Sequence, residues 1–474
     1  MRGRNLVVEL LRGPMLLAVA GSVANGLNLV MNLVLARVLD EHGYGAVVMQ
    51  TNIYLVLAVV GTAVLTAVVH RDLAPTQATG PARTAWIEQL RRASWYLALV
   101  AALLAAALCR PVATLLSYPH PVAIAEAGVA AGLWLAVCVE RGLLQARGNY
   151  PGLARNMVFE TVLRVSCIIA AACAGLGVDG AGLGLLVGAV TATAAARAAV
   201  ARTPALPPAP AGAAPPAGAA LTVREVAPIR EVTPVGVGSA PVQLVAAPRR
   251  TRTALVADTS VALATLIPLA LLQYVDVVIV GWRNPSGAGS YAAISTACKI
   301  PVFVGLAVAN YLLAEAARQR REGRSASAAL AMAIGIVVTP GLLLAAVGAV
   351  AGRPLLSLLF GPGLTGSADA LGVLALATTC LSVTLLFANY LLGAGNRQIV
   401  WLLAGCTPLA TVMVALADGR PMPTALALLV SQSVTAVLAG VLVAREHRAL
   451  RAAAGPPADE RLPPAQTLLA ARGR

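Results

Sequence analysis

A few ionisable side chains interrupt the long apolar runs of this sequence, and they are the first candidates for chemistry. Lys299, the only lysine of the chain, lies roughly 15 Å into an apolar run at ~1.5 Å per helical residue. An ionisable group at that depth costs at least ~2.5 kcal/mol unless it faces water or a partner. Lys299 therefore predicts either a structural ion pair or a contact with an anionic ligand.

Asp276 is the natural partner for this lysine. It lies roughly 8 Å deep near the end of the preceding apolar run, and adjacent antiparallel helices would let the two groups approach. The pair is then either structural or part of an ion-coupling site. Pro301, two residues beyond the lysine, predicts a kink in the same helix.

A second charged pair is expected on one helix face, because Glu160 and Arg164 have the i,i+4 spacing. Mutual neutralisation is one interpretation. The other is that Arg164 supplies a second cation to an anionic ligand. A helix facing lipid would need neither residue, so both are expected to point inward.

Amide side chains form a third group. Asn25, Asn28 and Asn32 are spaced three and four residues apart on one stripe, where amides either join helices or line a polar cavity. Arg37, at the end of the same run, is a candidate ligand contact or extends to lipid head groups. Further candidates in the apolar runs are Gln50, Asn52, Asn310, Asn389 and Glu126.

The sequence favours no catalytic or metal chemistry. The only lysine follows Cys298, so a Gly-Lys phosphate loop is excluded. The four His residues are scattered, and none of the seven Cys residues forms a C-x-x-C pair. We therefore expect no cofactor, no metal and no enzyme activity.

The elements that must position these side chains are membrane-spanning helices. The chain is 58% hydrophobic and 12% charged, half of the ~25% charge of a soluble domain. Twelve apolar runs each approach the ~20 residues that a helix needs to cross the hydrocarbon. The predicted fold class is an all-α polytopic membrane protein of about twelve transmembrane helices.

The positive charge of the chain indicates topology. Net charge is +15, but 28 of the 35 Lys and Arg residues fall in segments on one side of the predicted spans and five on the other. The positive-inside rule then predicts that both termini are cytoplasmic in a multi-pass plasma (inner) membrane protein. No nucleic-acid partner is needed to explain the charge.

Three pairs of similar segments indicate that the chain contains an internal duplication. Arg110–Leu116 is repeated by Arg353–Leu359, Gly43–Val47 by 290–293, and 143–149 by 391–396, at offsets of 243, 247 and 248 residues. We expect two parallel-repeat six-helix lobes, 1–200 and 254–444. A Pro/Ala-rich cytoplasmic linker, 201–253, would join them, and 445–474 would form a basic cytoplasmic tail.

The same motifs carry a family resemblance. The segment 35–45 (LARVLDEHGYG), Leu358-Leu359-Phe360-Gly361, the turns at 143–149 and 391–396, and Gln273–Asp276 resemble oligosaccharide flippases, the polysaccharide-biosynthesis export proteins. These belong to the multidrug/oligosaccharidyl-lipid/polysaccharide exporter superfamily. The resemblance implies two lobes, alternating access and no bound ATPase. The chain departs from relatives in lacking a Pro near the cytoplasmic end of the eighth span.

The resemblance implies flipping of a lipid-linked oligosaccharide that carries a pyrophosphate. Expected partners are this cargo, membrane lipids and polysaccharide assembly enzymes. Expected cargo contacts are Lys299, Arg164, Asn28, Asn32 and Arg37, with Asp276 and Glu160 in ion coupling or structural pairs. One alternative is a cation-coupled exporter, which would need carboxylates in the cavity. The other is a membrane scaffold, for which an uncharged, closed interface between the lobes is expected.

Overall fold

The computed structural model describes residues 15–72, 81–203, 249–321 and 326–454, and these residues form helices without any strand. The first lobe holds α1 (Met15–Val38), α2 (Glu41–Asp72), α3 (Pro81–Leu115), α4 (Pro121–Ala146), α5 (Tyr150–Cys173) and α6 (Gly177–Arg202). The second holds α7 (Arg249–Arg283), α8 (Ala288–Cys298), α9 (Ile300–Arg321), α10 (Ser327–Phe360), α11 (Leu371–Gly393), α12 (Gln398–Ala415) and α13 (Pro421–Ala454). The predicted linker and tail lie largely outside the described residues.

The prediction of about twelve transmembrane helices is confirmed. Eleven helices of the described ranges are long and apolar enough to span a membrane, and there are twelve if the bent pair α8–α9 counts as one span. That pair occupies the eighth predicted span and bends by 41°. Lys299 lies between the two helices. Pro301 has no N–H and its ring crowds the carbonyl four residues earlier, which explains the break.

Two helices extend well beyond their apolar runs. The sequence predicted spans at 93–109 and 122–140, whereas α3 begins at Pro81 and α4 continues to Ala146. Arg91 and Glu140 explain the difference, because they form a paired salt bridge between these two helices, with Nε–Oε1 at 2.6 Å and Nη2–Oε2 at 2.8 Å. Because the two charges neutralise each other, both helices can continue beyond their apolar runs into turns that contain charged residues.

The two lobes repeat the same packing. In the first lobe α2, α3 and α6 pack on α4, while α1 and α6 pack on α5. In the second lobe α9, α10 and α13 pack on α11, while α7 and α13 pack on α12. These are the same pairs in the same order, so the two-lobe parallel repeat is confirmed.

The repeated turns at 143–149 and 391–396 have the same backbone geometry in both lobes. Gly148 and Gly395 both have positive φ angles, +70° and +77°. The following Asn149 and Asn396 donate their backbone N–H to Leu144 and Leu391, at 3.0 and 2.8 Å. The left-handed conformation that closes each helix is one that glycine adopts without strain.

The hydrophobic core shows how the lobes are arranged. Near the α1–α2, α3–α4 and α5–α6 loops, one continuous cluster contains buried residues of both lobes. Towards the opposite end, each lobe has a separate cluster of its own. We call these the joined end and the separated end. By the predicted topology the joined end is extracellular and the separated end is cytoplasmic.

The seam at the joined end is a close backbone contact between α2 and α8. A Cβ on Gly45 would lie 2.8 Å from the backbone nitrogen of Gly289, and a Cβ on Gly289 would lie 2.1 Å from the carbonyl oxygen of Glu41. The backbone N–H of Ser290 donates to Glu41 Oε1 at 3.2 Å. Only glycines fit this crossing, which holds the two lobes together at one end.

Candidate functional site

Lys299 lies at the contact between the two lobes. Its Nζ donates to Asn52 Oδ1 on α2 at 3.0 Å and lies 4.7 Å from the centre of the Tyr274 ring. Asn52 is oriented by its own helix, because its Nδ2 donates to the Val48 carbonyl at 2.7 Å. Both residues are buried. The lysine of the second lobe is thus held by an amide of the first.

Asn52 and Lys299 are equivalent positions of the two repeats. They are 247 residues apart, the same offset that relates Tyr44 on α2 to Tyr291 on α8. Equivalent residues that touch lie beside the pseudo-two-fold axis between the lobes. The Lys299–Asn52 hydrogen bond therefore crosses this axis in the interior of the molecule.

Asp276 is close to Lys299 but has other direct partners. Its Oδ2 accepts hydrogen bonds from Tyr291 at 3.0 Å and Ser295 at 3.3 Å. Its Oδ1 is buried and has no hydrogen-bond partner in the described residues. Among those residues, no ion pair within 4 Å joins Asp276 to Lys299. The charges are therefore adjacent without a direct salt bridge.

Asp276 and Lys299 line one small cavity of mixed polar and apolar character in the second lobe. It measures about 20 Å³, and its polar lining also includes Gln273, Ser295, Thr378 and Gln432. The buried Gln432 Oε1 also lacks a hydrogen-bond partner in the described residues. A cavity of this size accommodates about one water-sized group, and its lining offers acceptors as well as the lysine donor.

The first lobe contains a more tightly paired cluster. Arg164 on α5 donates from Nε to Glu160 Oε1 at 2.7 Å and from Nη2 to Asn28 Oδ1 on α1 at 3.0 Å. The expected i,i+4 pair is present, and its arginine also joins α1 to α5. Asn32 donates instead to the Asn28 carbonyl at 2.8 Å within its own helix.

Arg141 completes this cluster and was missed from the sequence. It lies on α4, where its Nη2 approaches Glu160 Oε2 at 3.7 Å and its Nε donates to Asn156 Oδ1 at 2.7 Å. Its guanidinium stacks 4.9 Å from the Trp134 ring centre. The sequence interpretation placed Arg141 in the loop after the fourth span. The apolar Leu143 and Leu144 that follow it were the signal that the helix continues.

The two clusters together carry an excess of positive charge. Glu160 lies between Arg141 and Arg164, so the first-lobe cluster has one uncompensated cation. Lys299 and Asp276 balance each other in number. Buried guanidinium and ammonium groups with donor hydrogens are suited to an anionic ligand such as a phosphate.

The remaining predicted residues lie elsewhere. Arg37 is at the joined end, where its guanidinium donates to the Leu358 carbonyl of the other lobe at 2.5 Å. Gln50 donates to Glu126 at 3.3 Å, and Asn389 donates to the Leu385 carbonyl of its own helix at 2.9 Å. The side chain of Asn310 lies outside the described residues. Within the described ranges, no group of three or more His, Cys, Asp or Glu side chains is arranged to hold a metal ion.

Comparison with solved structures identifies the fold. A MOP superfamily transporter from Pyrococcus furiosus matches with a TM-score of 0.61 at 15% identity, over 94% of this chain and 98% of that one. A multidrug resistance MATE family transporter of the MOP superfamily, in an outward-facing conformation, gives 0.62 at 14% identity over 94% and 98%. The lipid II flippase MurJ, in an inward closed conformation, gives 0.67 at 9% identity over 90% and 87%.

These likenesses define the class to which the architecture belongs. The chain is a multi-pass membrane protein with the fold of the MOP transporters, the superfamily that its motifs resemble. Comparisons with protein-family models and with curated protein sequences find no match. The comparisons therefore show the fold, and the function must be inferred from the site.

Proposed function

We propose that this protein is an alternating-access transporter that flips a lipid-linked oligosaccharide across the plasma membrane for polysaccharide biosynthesis. The cargo would carry a pyrophosphate between lipid and sugar and move from the cytoplasmic to the outer leaflet. The observation that carries this proposal is an excess of positive charge in the interior, where the buried Arg141 and Lys299 and the half-buried Arg164 outnumber Glu160 and Asp276. Such cations replace the hydration that a pyrophosphate loses on entering the membrane.

The arrangement of the lobes supports a transport cycle. They share a core at the joined end and have separate cores at the separated end, as in one of the two states that alternating access requires. In the proposed cycle the joined end opens to release cargo. Lys299 must then lose its bond to Asn52, and the pyrophosphate would take the place of the amide.

The decisive experiment measures flipping in proteoliposomes. A fluorescent lipid-linked sugar is reconstituted with the full-length protein, and quenching from outside reports its movement between leaflets. We expect Lys299→Ala to reduce the rate at least tenfold. The matched control is Arg353→Ala, which removes an exposed cation paired at 3.6 Å with the exposed Asp369. Unchanged flipping by Lys299→Ala would show that this lysine does not contact the cargo.

A cation-coupled exporter of small molecules is the second candidate. Asp276 favours it, because a buried carboxylate oxygen that lacks a hydrogen-bond partner and lines a small cavity suits a coupled ion. The discriminating test compares cargoes in the same vesicles. Expulsion of a cationic dye against a gradient, with no movement of the lipid-linked sugar, would establish the exporter instead.

The non-transporting scaffold has less support. That function predicted an uncharged, closed interface between the lobes, and Lys299 lies in this interface. The absence of enzyme activity, the cytoplasmic termini and an association with polysaccharide assembly enzymes remain part of the proposal. Protease accessibility of the 201–253 linker in right-side-out and inverted vesicles would test the orientation.

A further inference from the structure

A groove on the outside of the first lobe has the chemistry of a lipid head-group site. α3 and α6 pack on either side of α4, and between them lies a groove of about 330 Å³. Its lining consists of Glu88, Arg91, Arg92, Trp95, Tyr96, Leu99 and Arg197. The main helix contacts between the lobes are made by α1 and α2, so this groove faces away from the second lobe.

Two of its arginines are free to bind an anion. Arg91 lines the groove and is paired with Glu140 at 2.6 and 2.8 Å and with Glu88 at 3.4 Å. Arg92 and Arg197 are exposed and have no ion-pair partner in the described residues. The groove therefore presents two exposed guanidinium groups, and its three arginines exceed the two carboxylates Glu88 and Glu140 by one positive charge, which suits a phosphate with several oxygen acceptors.

The groove lies at the level of the membrane surface. A helix needs ~20 residues to cross the hydrocarbon, and counting that many back from Leu115 along α3 reaches Tyr96. The same count from the start of α4 reaches Glu140, and on α6 it reaches Ala196, beside Arg197. The charged residues of all three helices thus meet at one interface. By the predicted topology it is the cytoplasmic one.

The aromatic and apolar residues fit a lipid rather than a free anion. Trp95 and Tyr96 are 44% and 70% exposed, and aromatic side chains of this kind prefer the head-group level of a bilayer. On the hydrocarbon side, Leu99 and Leu103 are 56% and 62% exposed. They continue the groove as a surface for acyl chains.

We propose that this groove binds an anionic phospholipid, with Arg92 and Arg197 on its phosphate and acyl chains along α3. The second lobe provides an internal comparison. At the offset of the repeated Arg-Pro segment, Arg91, Arg92, Trp95 and Tyr96 correspond to Ile334, Gly335, Val338 and Thr339 on α10. The duplicated face has no charge and no aromatic ring, so the site belongs to the first lobe only.

The test uses tryptophan quenching by brominated lipids in vesicles containing the full-length protein. Quenching by dibrominated phosphatidylglycerol in a phosphatidylcholine background is compared with quenching by dibrominated phosphatidylcholine, and Trp95→Phe isolates the contribution of Trp95 among the five Trp residues. We expect preferential quenching of Trp95 by the anionic lipid. The relative association constant should fall about fivefold for each arginine removed, in Arg92→Gln and Arg197→Gln.

Two controls separate head-group binding from general charge and from misfolding. Arg397→Gln removes an exposed cation on the second lobe, from the turn between α11 and α12, and should leave the preference unchanged. Arg92→Lys keeps the charge and should retain most of the preference. Equal quenching of Trp95 by both lipids in the unmodified protein would overturn the proposal, and so would an undiminished preference in the double Gln variant.

Discussion

The charged clusters of the two lobes differ in where the partners of their buried charges lie. In the first lobe, Arg141 and Arg164 share the carboxylate of Glu160 through contacts made inside that lobe. In the second, Lys299 finds its direct partner, Asn52, across the lobe interface. A cluster satisfied within one lobe can persist through a rearrangement of the lobes, whereas a bond between lobes must break. We infer that the first cluster is a fixed feature and the second a changing one.

The largest expected effect is on stability, in the first lobe. Glu160→Gln removes the carboxylate that lies between the buried Arg141 and the half-buried Arg164, and it should lower the free energy of unfolding by ~3–5 kcal/mol. Asp276→Asn is the matched change in the second lobe. It retains an oxygen that accepts from Tyr291 and Ser295 and leaves Lys299 bound to Asn52, so it should cost far less. Thermal unfolding in detergent measures both, and equal losses would remove the distinction between the lobes.

The next effect is conformational. Asn52→Leu removes a hydrogen bond to a charged group, worth ~1.5–3 kcal/mol. The population with an open joined end should therefore rise ten- to hundredfold. Electron paramagnetic resonance distances between nitroxides at His42 and Asp369, in a cysteine-free background, report this opening. Asn389→Leu, which removes an amide bonded within its own helix, is the control. An unchanged distance distribution for Asn52→Leu would mean that the bond does not hold the lobes together.

A smaller effect, on cargo binding, is expected when Arg164 keeps its positive charge but loses the planar guanidinium group. In Arg164→Lys, one ammonium cannot reproduce the geometry of separate bonds to Glu160 and Asn28. The apparent KM for lipid-linked sugar should rise about tenfold, equivalent to ~1.4 kcal/mol, with a smaller change in maximal rate. Arg155→Lys, an exposed arginine on the same helix, provides the reference. A fall in maximal rate alone would assign Arg164 to the cycle rather than to cargo binding.

The smallest conformational effect should come from exchanging the two axial residues. Asn52→Lys combined with Lys299→Asn keeps a lysine–asparagine bond across the pseudo-two-fold axis. The nitroxide distances should therefore return towards those of the unmodified protein. Flipping should stay low, because the cation is then anchored on the first lobe and the cavity beside Asp276 loses its lysine. Full recovery of flipping would mean that the bond between the lobes is the whole function of the pair.

The fold was largely predictable from sequence, and the partners of the charges were predictable only in part. Apolar runs fix the number of helices, because crossing the hydrocarbon sets their length. The three pairs of similar segments predict the two-lobe repeat. The Glu160–Arg164 pair follows from helical spacing. The contact of Lys299 with Asn52 does not, because it depends on how two lobes that are separate in sequence meet. The approach of Asp276 to Lys299 was predicted from the sequence, and its role in ion coupling or in a structural pair stays a prediction.

Arg141 illustrates a second limit of prediction from sequence, which concerns where helices end. Treating charged residues as the ends of spans places it in a loop, yet α4 continues to Ala146 and buries it. The compensation comes from Glu160 and Asn156 on α5, and sequence spacing within α4 cannot reveal partners on another helix. Charged residues are therefore poor markers of helix ends wherever a neighbouring helix supplies the opposite charge.

The contact between Asn52 and Lys299 also bears on how a duplicated chain differs from a symmetric dimer. If the chain arose from two identical six-helix chains associating as a dimer, these positions held the same residue and faced each other across an exact two-fold axis. Two amides can hydrogen-bond in that setting, but two buried ammonium groups repel each other. Fusion of two such copies would remove the requirement for identity. One side of the axis could then carry a cation and the other an acceptor, a combination that a symmetric dimer of identical chains cannot display.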